Sequence, residues 1–169
     1  MNCRLRIGDL LYRSKGFVEH AAIYLGNNLV FHTSPTNGPE MLSLEDYSEG
    51  KIVKVIHTEN SNIAVLKQRI QQIGLSTNRY NVVSDNCEHI ASYLIHGRKL
   101  SPQLQATFCG IVVGLLLGQK MSKSGQFLLM LLGGLTGCYL SNATRKYDDQ
   151  IKVLPTHLYV GNQQVLSVN

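Results

Sequence analysis

Charge is scarce in this sequence. Lys, Arg, Asp and Glu together make up 16% of it, too little for a coiled coil, while 44% hydrophobic content is too much for a disordered chain. The four cysteines, Cys3, Cys87, Cys109 and Cys138, stand far apart with no CxxC pair, which excludes a zinc ribbon and a thioredoxin-type site. They read as reduced thiols of a cytosol-like compartment, because a chain of 169 residues buries enough surface to need no disulfide. Met1 to Tyr12 has no apolar stretch followed by small residues, so no secretory leader is expected there. No apolar run reaches the ~20 residues of a bilayer-spanning helix. Basic residues outnumber acidic ones by 16 to 11, but they are scattered, without a basic helix or a stripe of aromatic and basic residues. Nucleic acid is thereby set aside as a partner. Anionic lipid stays open.

What is present reads as one compact α+β domain with an appendage. Leu5 to Tyr12 is strand-like with a break at Gly8-Asp9. Val18 to Leu25 and Leu29 to Thr33 flank Gly26-Asn27-Asn28, a hairpin signal, and Thr33 to Gly38 has loop composition. Lys51 to His57 is β-branched. Ser61 can cap a helix that buries Ile63, Leu66, Ile70 and Ile73 and ends at Gly74. A second helix starts near Ser84 to Asn86 and stops at Gly97, with Asp85 and Glu88 spaced as a capping box. The pattern divides into 1–102 as the chemical domain, 103–140 as a glycine-rich apolar helical hairpin and 141–169 as a polar tail with room for extra strands. Leu158 to Asn162 echoes Ile23 to Asn27 and suggests a further hairpin turn.

Cys87 draws attention because it falls in the opening turn of a helix, where backbone N–H groups and the helix dipole favour a thiolate nucleophile. The plain alternative is a buried structural cysteine, although both flanks are polar. A thiol nucleophile needs an imidazole base and an orienting partner. With a three-residue turn at Gly26 to Asn28, the even-numbered residues share one face, and His20 and His32 become diagonal neighbours about 7–8 Å apart at the backbone. A two-residue turn would put them on opposite faces and break the arrangement. Each histidine taken singly is more ordinarily a hydrogen-bonded imidazole. His89 lies two residues from Cys87, about 200° around a helix, so the pair is a poor metal site, and no metal or cofactor is expected. His57, His96 and His157 lack a partner in the pattern and read as ordinary polar residues, and Tyr12 and Tyr24 as packing residues.

Gly8-Asp9-Leu10, His20 to Gly26, Val30-Phe31-His32 and Asn86-Cys87-Glu88-His89-Ile90 together resemble the signature blocks of the lecithin retinol acyltransferase family, a permuted branch of the NlpC/P60 papain-like superfamily. The resemblance runs from about Leu5 to Gly97. It implies a permuted papain-like core, an antiparallel sheet with packed helices. Cys87 is then the nucleophile, His20 its general base and His32 the residue that orients His20. The implied chemistry is acyl transfer from a glycerophospholipid ester through an acyl-Cys thioester, to water, an amine or an alcohol. Two alternatives stay beside it. One is an amidase or peptidase of the NlpC/P60 type. The other is a non-catalytic interaction protein with the same fold.

The apolar stretches Ala106 to Gly118 and Phe127 to Leu140 are each short of a span, and a polar stretch with Lys120 and Lys123 separates them. Gly110, Gly114 and Gly118, with Gly133, Gly134 and Gly137, suit two closely packed helices. Such a hairpin either dips into a membrane or packs within the fold. Animal members of the family carry a C-terminal hydrophobic anchor; here the apolar region is split and a polar tail follows. The expectation is a cytoplasmic protein that meets a membrane surface through residues 106–140.

Overall fold

In the computed structural model of the chain, residues 4–34, 36–59, 62–74 and 86–153 are described. They form an α+β structure with a six-stranded antiparallel sheet and five helices. In chain order these are β1 (Leu10–Lys15), β2 (Val18–Gly26), β3 (Leu29–Ser34), β4 (Gly38–Ser43), α1 (Leu44–Ser48), β5 (Ile52–Ile56), α2 (Ile63–Gly74), α3 (Cys87–His96), α4 (Pro102–Leu117), α5 (Lys123–Ala143) and β6 (Asp149–Lys152). The sheet order is β4-β3-β2-β1-β5-β6.

The central strands are buried on both sides. Leu10, Tyr12, Ile23 and Phe31 pack against Leu66 of α2 and Ile90, Ala91 and Leu94 of α3. Leu11, Ala22, Val30, Val53 and Val55 turn the other way onto Leu44 and Tyr47 of α1. Only the first of these faces is evident from the hairpin pattern, because the second depends on a five-residue helix between two strands.

Strand β1 starts at Leu10 rather than Leu5. Gly8 takes a positive φ of 97°, and the Asp9 carboxylate accepts the Arg6 N–H at 2.8 Å, a local turn that competes with strand pairing. β4 and α1 follow the Thr33 to Gly38 loop, in a stretch where the sequence shows no periodic pattern. Pro39 sits in β4 at the sheet edge, where a missing N–H is tolerated. On α2 the cap is Asn62, whose Oδ1 accepts from Ala64 and Val65; Ser61 lies outside the described residues. Leu66 is buried as expected, but Ile63 is exposed.

The β2–β3 turn decides where the histidines go. Asn27 and Asn28 both have positive φ, 49° and 61°, between the paired residues Gly26 and Leu29, which is a two-residue left-handed turn. A register shift between Tyr24 and Gly26 inserts one extra residue and restores the pairing Ala22 with His32 and Ile23 with Phe31. The expected three-residue turn is thus replaced by a shorter turn plus a bulge. The net register is the same, so His20 and His32 still share a face.

α4 and α5 run antiparallel with their backbones in close approach. A Cβ on Gly110 would fall 2.0 Å from the Gly133 carbonyl oxygen, one on Gly114 2.1 Å from that of Leu129, and one on Gly137 2.1 Å from that of Ala106. Only glycine permits this approach. Pro102 opens α4 and Ser101 caps it, accepting the Leu104 N–H. Most large apolar side chains of the pair face outward, among them Phe108, Val113, Leu116, Leu117 and Leu128. Among the described residues no helix is long and apolar enough to cross a membrane. After α5 the chain returns, and β6 pairs with β5 at the far edge of the sheet. The Leu158 to Asn162 echo and His157 lie outside the described residues.

Candidate active site

Cys87 is the first residue of α3, and Asn86 is its N-cap, accepting the His89 N–H at 2.8 Å. The expected capping box involves Asp85, and the observed cap is Asn86. Asp85 is outside the described residues, and Glu88 points elsewhere: its carboxylate accepts from Ser101 Oγ at 2.6 Å and from the Gln103 N–H at 3.2 Å, and it pairs with Arg145. A carboxylate this well paired has no reason to fold back on its own helix.

The Cys87 sulfur accepts the Ala21 N–H of β2 at 3.5 Å, and the N–H groups of Cys87 and Glu88 also lie against it. Burial raises the thiol above its ordinary value, and these N–H groups oppose that rise. One residue before Ala21, the His20 ring meets His32, with Nε2 of His20 2.9 Å from Nδ1 of His32 and the rings edge to face. Both imidazoles are buried. Burial is the main cause holding His20 down to about 3, with the neighbouring His32 adding to it, and burial also lowers His32, against a smaller upward pull from Glu40. Both rings are neutral at pH 7.

Neutral rings allow one consistent assignment of protons. His32 Nε2 faces Glu40 Oε1 at 3.3 Å, an ion-pair distance without a hydrogen-bonding angle, so the proton of His32 belongs on Nε2. His32 Nδ1 then accepts from His20 Nε2, which leaves His20 Nδ1 as a bare acceptor. Glu40 lies opposite His32 in the β3–β4 register, and Asn37 Nδ2 donates to its other oxygen at 3.0 Å. Beneath both rings lies Tyr47 of α1, wholly buried, whose hydroxyl donates to the His20 carbonyl at 2.6 Å. Neither Glu40 nor Tyr47 stands out in the sequence. Glu40 lies on an edge strand that the sequence pattern does not show, and its only signal is strand pairing.

His20 and Cys87 line the same cavity, of about 630 Å³, whose other walls are α4 and α5. His89 and His32 do not line it, nor do Tyr12 and Tyr24. Tyr12 instead packs in the core, with the Arg145 guanidinium 4.4 Å from its ring centroid. Among the described residues no group of three or more His, Cys, Asp or Glu is placed to hold a metal ion. Cys87, Cys109 and Cys138 are all free thiols. His57 differs from the sequence expectation: its Nδ1 lies 2.9 Å from Asp9 and its Nε2 3.1 Å from Asp149, so it joins the turn before β1 to β6. Asp149 arrives from 92 positions along the chain, a separation that no local pattern reveals.

No family profile matches the chain. It is 28% identical over 134 residues to the lecithin retinol acyltransferase of Mus musculus, covering 58% of this chain and 57% of that protein, and 27% identical to the Rattus norvegicus protein over the same extent. The chain is thus similar to lecithin retinol acyltransferases. It is also 28% identical over 140 residues to the human phospholipase A and acyltransferase 2, covering 67% of this chain and 85% of that relative. The chain thus spans little more than half the length of the two rodent proteins it matches.

Proposed function

We propose that this lecithin retinol acyltransferase-like chain is a thiol-dependent acyltransferase or phospholipase A-like hydrolase with Cys87 as nucleophile, His20 as general base and His32 as the residue orienting His20. The observation that carries the reading is that a cysteine at a helix N-terminus and a neutral, hydrogen-bonded histidine open onto one cavity. The names of the relatives, which pair acyl transfer with phospholipid cleavage, support it.

In this mechanism Sγ and Nδ1 both rest neutral, since burial disfavours charge on either. As Sγ attacks the ester carbonyl carbon, its proton passes to Nδ1 of His20. The tetrahedral oxygen takes the N–H groups of Cys87 and Glu88 at the start of α3, which lie against the sulfur and have no intrahelical partner. Collapse breaks the bond from carbonyl carbon to alkoxy oxygen, and the leaving alcohol takes the proton from His20. A thioester on Cys87 remains. Water, an amine or an alcohol then attacks it, giving its proton to His20, and the thiol is restored. His32 holds Nε2 of His20 and so keeps Nδ1 aimed at the sulfur, with Glu40 supporting the charge that His20 carries midway. The core is read as a permuted papain-like one, and α4 with α5 as a hairpin whose outward apolar side chains meet the lipid surface that supplies the ester.

The test is incubation with phosphatidylcholine vesicles, flotation and intact-mass analysis. The protein should float with the vesicles and gain one acyl mass, located on Cys87, with no gain in Cys87→Ala. An acyl mass retained in a folded Cys87→Ala protein overturns the mechanism. Full recovery in the unbound fraction overturns the membrane role of α4 and α5.

A further inference from the structure

Resting on that reading, we propose that the space between the α4–α5 pair and the core is a built seat for the acyl chain of the substrate, and that its length along α5 sets which chains are used. The cavity has one polar end and a long apolar one. Lys15, Glu19, Glu88, Ser101 and Gln103 border it on the side of the sheet and α3, whereas Ile111 of α4 and Met130, Leu131 and Leu135 of α5 form an apolar wall. A carbonyl held at Cys87 leaves only its hydrocarbon to occupy the apolar end. A chain of methylenes fits such a lining, and a peptide or sugar, with unpaired polar groups there, does not.

Polar contacts hold the helix pair at this distance from the core. Glu88, next to the nucleophile, takes Ser101 and Gln103 at the start of α4 and Arg145 just beyond α5. Gln103 Oε1 accepts the N–H of Glu19, next to His20. Cys138 and Asn142 of α5 both donate to the Phe17 carbonyl in the β1–β2 turn. The cavity is therefore spanned at its polar end by hydrogen bonds to both strands and helix of the site, and left open between aliphatic walls beyond them.

Direction along the seat follows from helix polarity. α4 begins beside Glu88 and runs away from it, and α5 is antiparallel, with Ala106 against Gly137 and Gly110 against Gly133. Cys138, which lines the cavity together with Cys87, marks its near end; Leu135 lies about one turn out, Met130 further, and Phe127 at the far end. From Cys138 to Phe127 the helix rises about 16 Å at ~1.5 Å per residue. With C–C bonds of ~1.5 Å in zigzag, about a dozen methylenes cover that length.

The experiment measures kcat/KM for p-nitrophenyl butyrate, octanoate, laurate and palmitate, and binding of cis-parinaric acid, in wild type, Leu135→Trp, Met130→Trp and the outward-facing Val113→Trp. Wild type should gain severalfold per methylene until the seat is full, since each buried methylene is worth about fourfold. Leu135→Trp should cut the laurate-to-butyrate ratio by about tenfold or more, Met130→Trp by less, and Val113→Trp should keep the wild-type ratio. Weaker parinarate binding in the same order, with native circular dichroism, separates a filled seat from a misfolded chain. A wild-type ratio in both inward variants, or no parinarate binding by wild type, overturns the seat and leaves the thiol chemistry standing. Ester turnover that survives Cys87→Ala instead overturns the thiol reading, and parinarate then judges the seat alone.

Discussion

At the scale of single residues, the proposed mechanism gives the histidines unequal work. In it His20 offers Nδ1 to the thiol, while His32 meets the other ring nitrogen of His20, Nε2. Removing a proton-transfer group generally costs 10²–10⁴-fold. His20→Ala should therefore fall in that range in kcat/KM on phosphatidylcholine. His32→Gln, which still offers a hydrogen-bonding group to His20, should lose less, and Glu40→Gln less again, because Glu40 acts through His32. A His32→Gln loss exceeding that of His20→Ala would mean that the two roles are exchanged. Cys87 and the two histidines are legible in the sequence, as the Asn-Cys-Glu-His block and the hairpin parity show. Glu40 and Tyr47 are not, because their contacts come from cross-strand pairing and from a one-turn helix folded beneath the sheet.

At the scale of elements, the α4–α5 pair depends on absent side chains. A Cβ on Gly137 would lie 2.1 Å from the Ala106 carbonyl oxygen, and that atom is backbone and cannot swing aside. Replacing a helical glycine by alanine gains up to about 1 kcal/mol in propensity. Forcing two packed backbones apart costs about 1–3 kcal/mol. Gly137→Ala should thus lower the melting temperature. In Gly125→Ala the new methyl meets chiefly the flexible end of Met121, so the propensity gain should survive and the melting temperature hold or rise. Equal behaviour of the two variants in thermal circular dichroism would show that the close approach is not what holds the pair. The glycine spacing is visible in the sequence. The polar tie from Glu88 to both ends of the pair is not, since Glu88 reads locally as a capping residue.

At the scale of the whole molecule, stability should depend on pH through three buried or bridging imidazoles of opposite sign. His20 and His32 fold with values below the ordinary 6.5, so the unfolded chain binds more protons as the pH drops below about 6.5, and stability falls towards acid. His57 is raised by its hydrogen bonds to Asp149 and Asp9, so its contribution is full below about 6.5 and is lost as the pH rises through its folded value. The deeper burial of the His20–His32 pair makes the acid-side loss dominate. Between pH 7 and pH 5 the wild-type melting temperature should fall. His20→Gln should flatten that fall and His57→Gln should steepen it. A flat wild-type profile would show that the pair does not stay neutral.

The sequence by itself determines the α+β class, the thiol at a helix start and the parity that sets two histidines on one face. All of these follow from spacing over a few residues, which local sterics and helix or strand periodicity govern. Tertiary structure alone decides the rest. It chooses a two-residue turn with a bulge where a three-residue turn serves the same register. It buries the second face of the sheet under α1, brings β6 to β5, and sends Glu88 to Ser101 and Arg145. It also lays α4 and α5 over Cys87 and His20 to enclose the cavity. Apart from the turn, these features join residues well separated in the chain, and such contacts are selected by the free energy of packing the whole rather than by any short window of sequence.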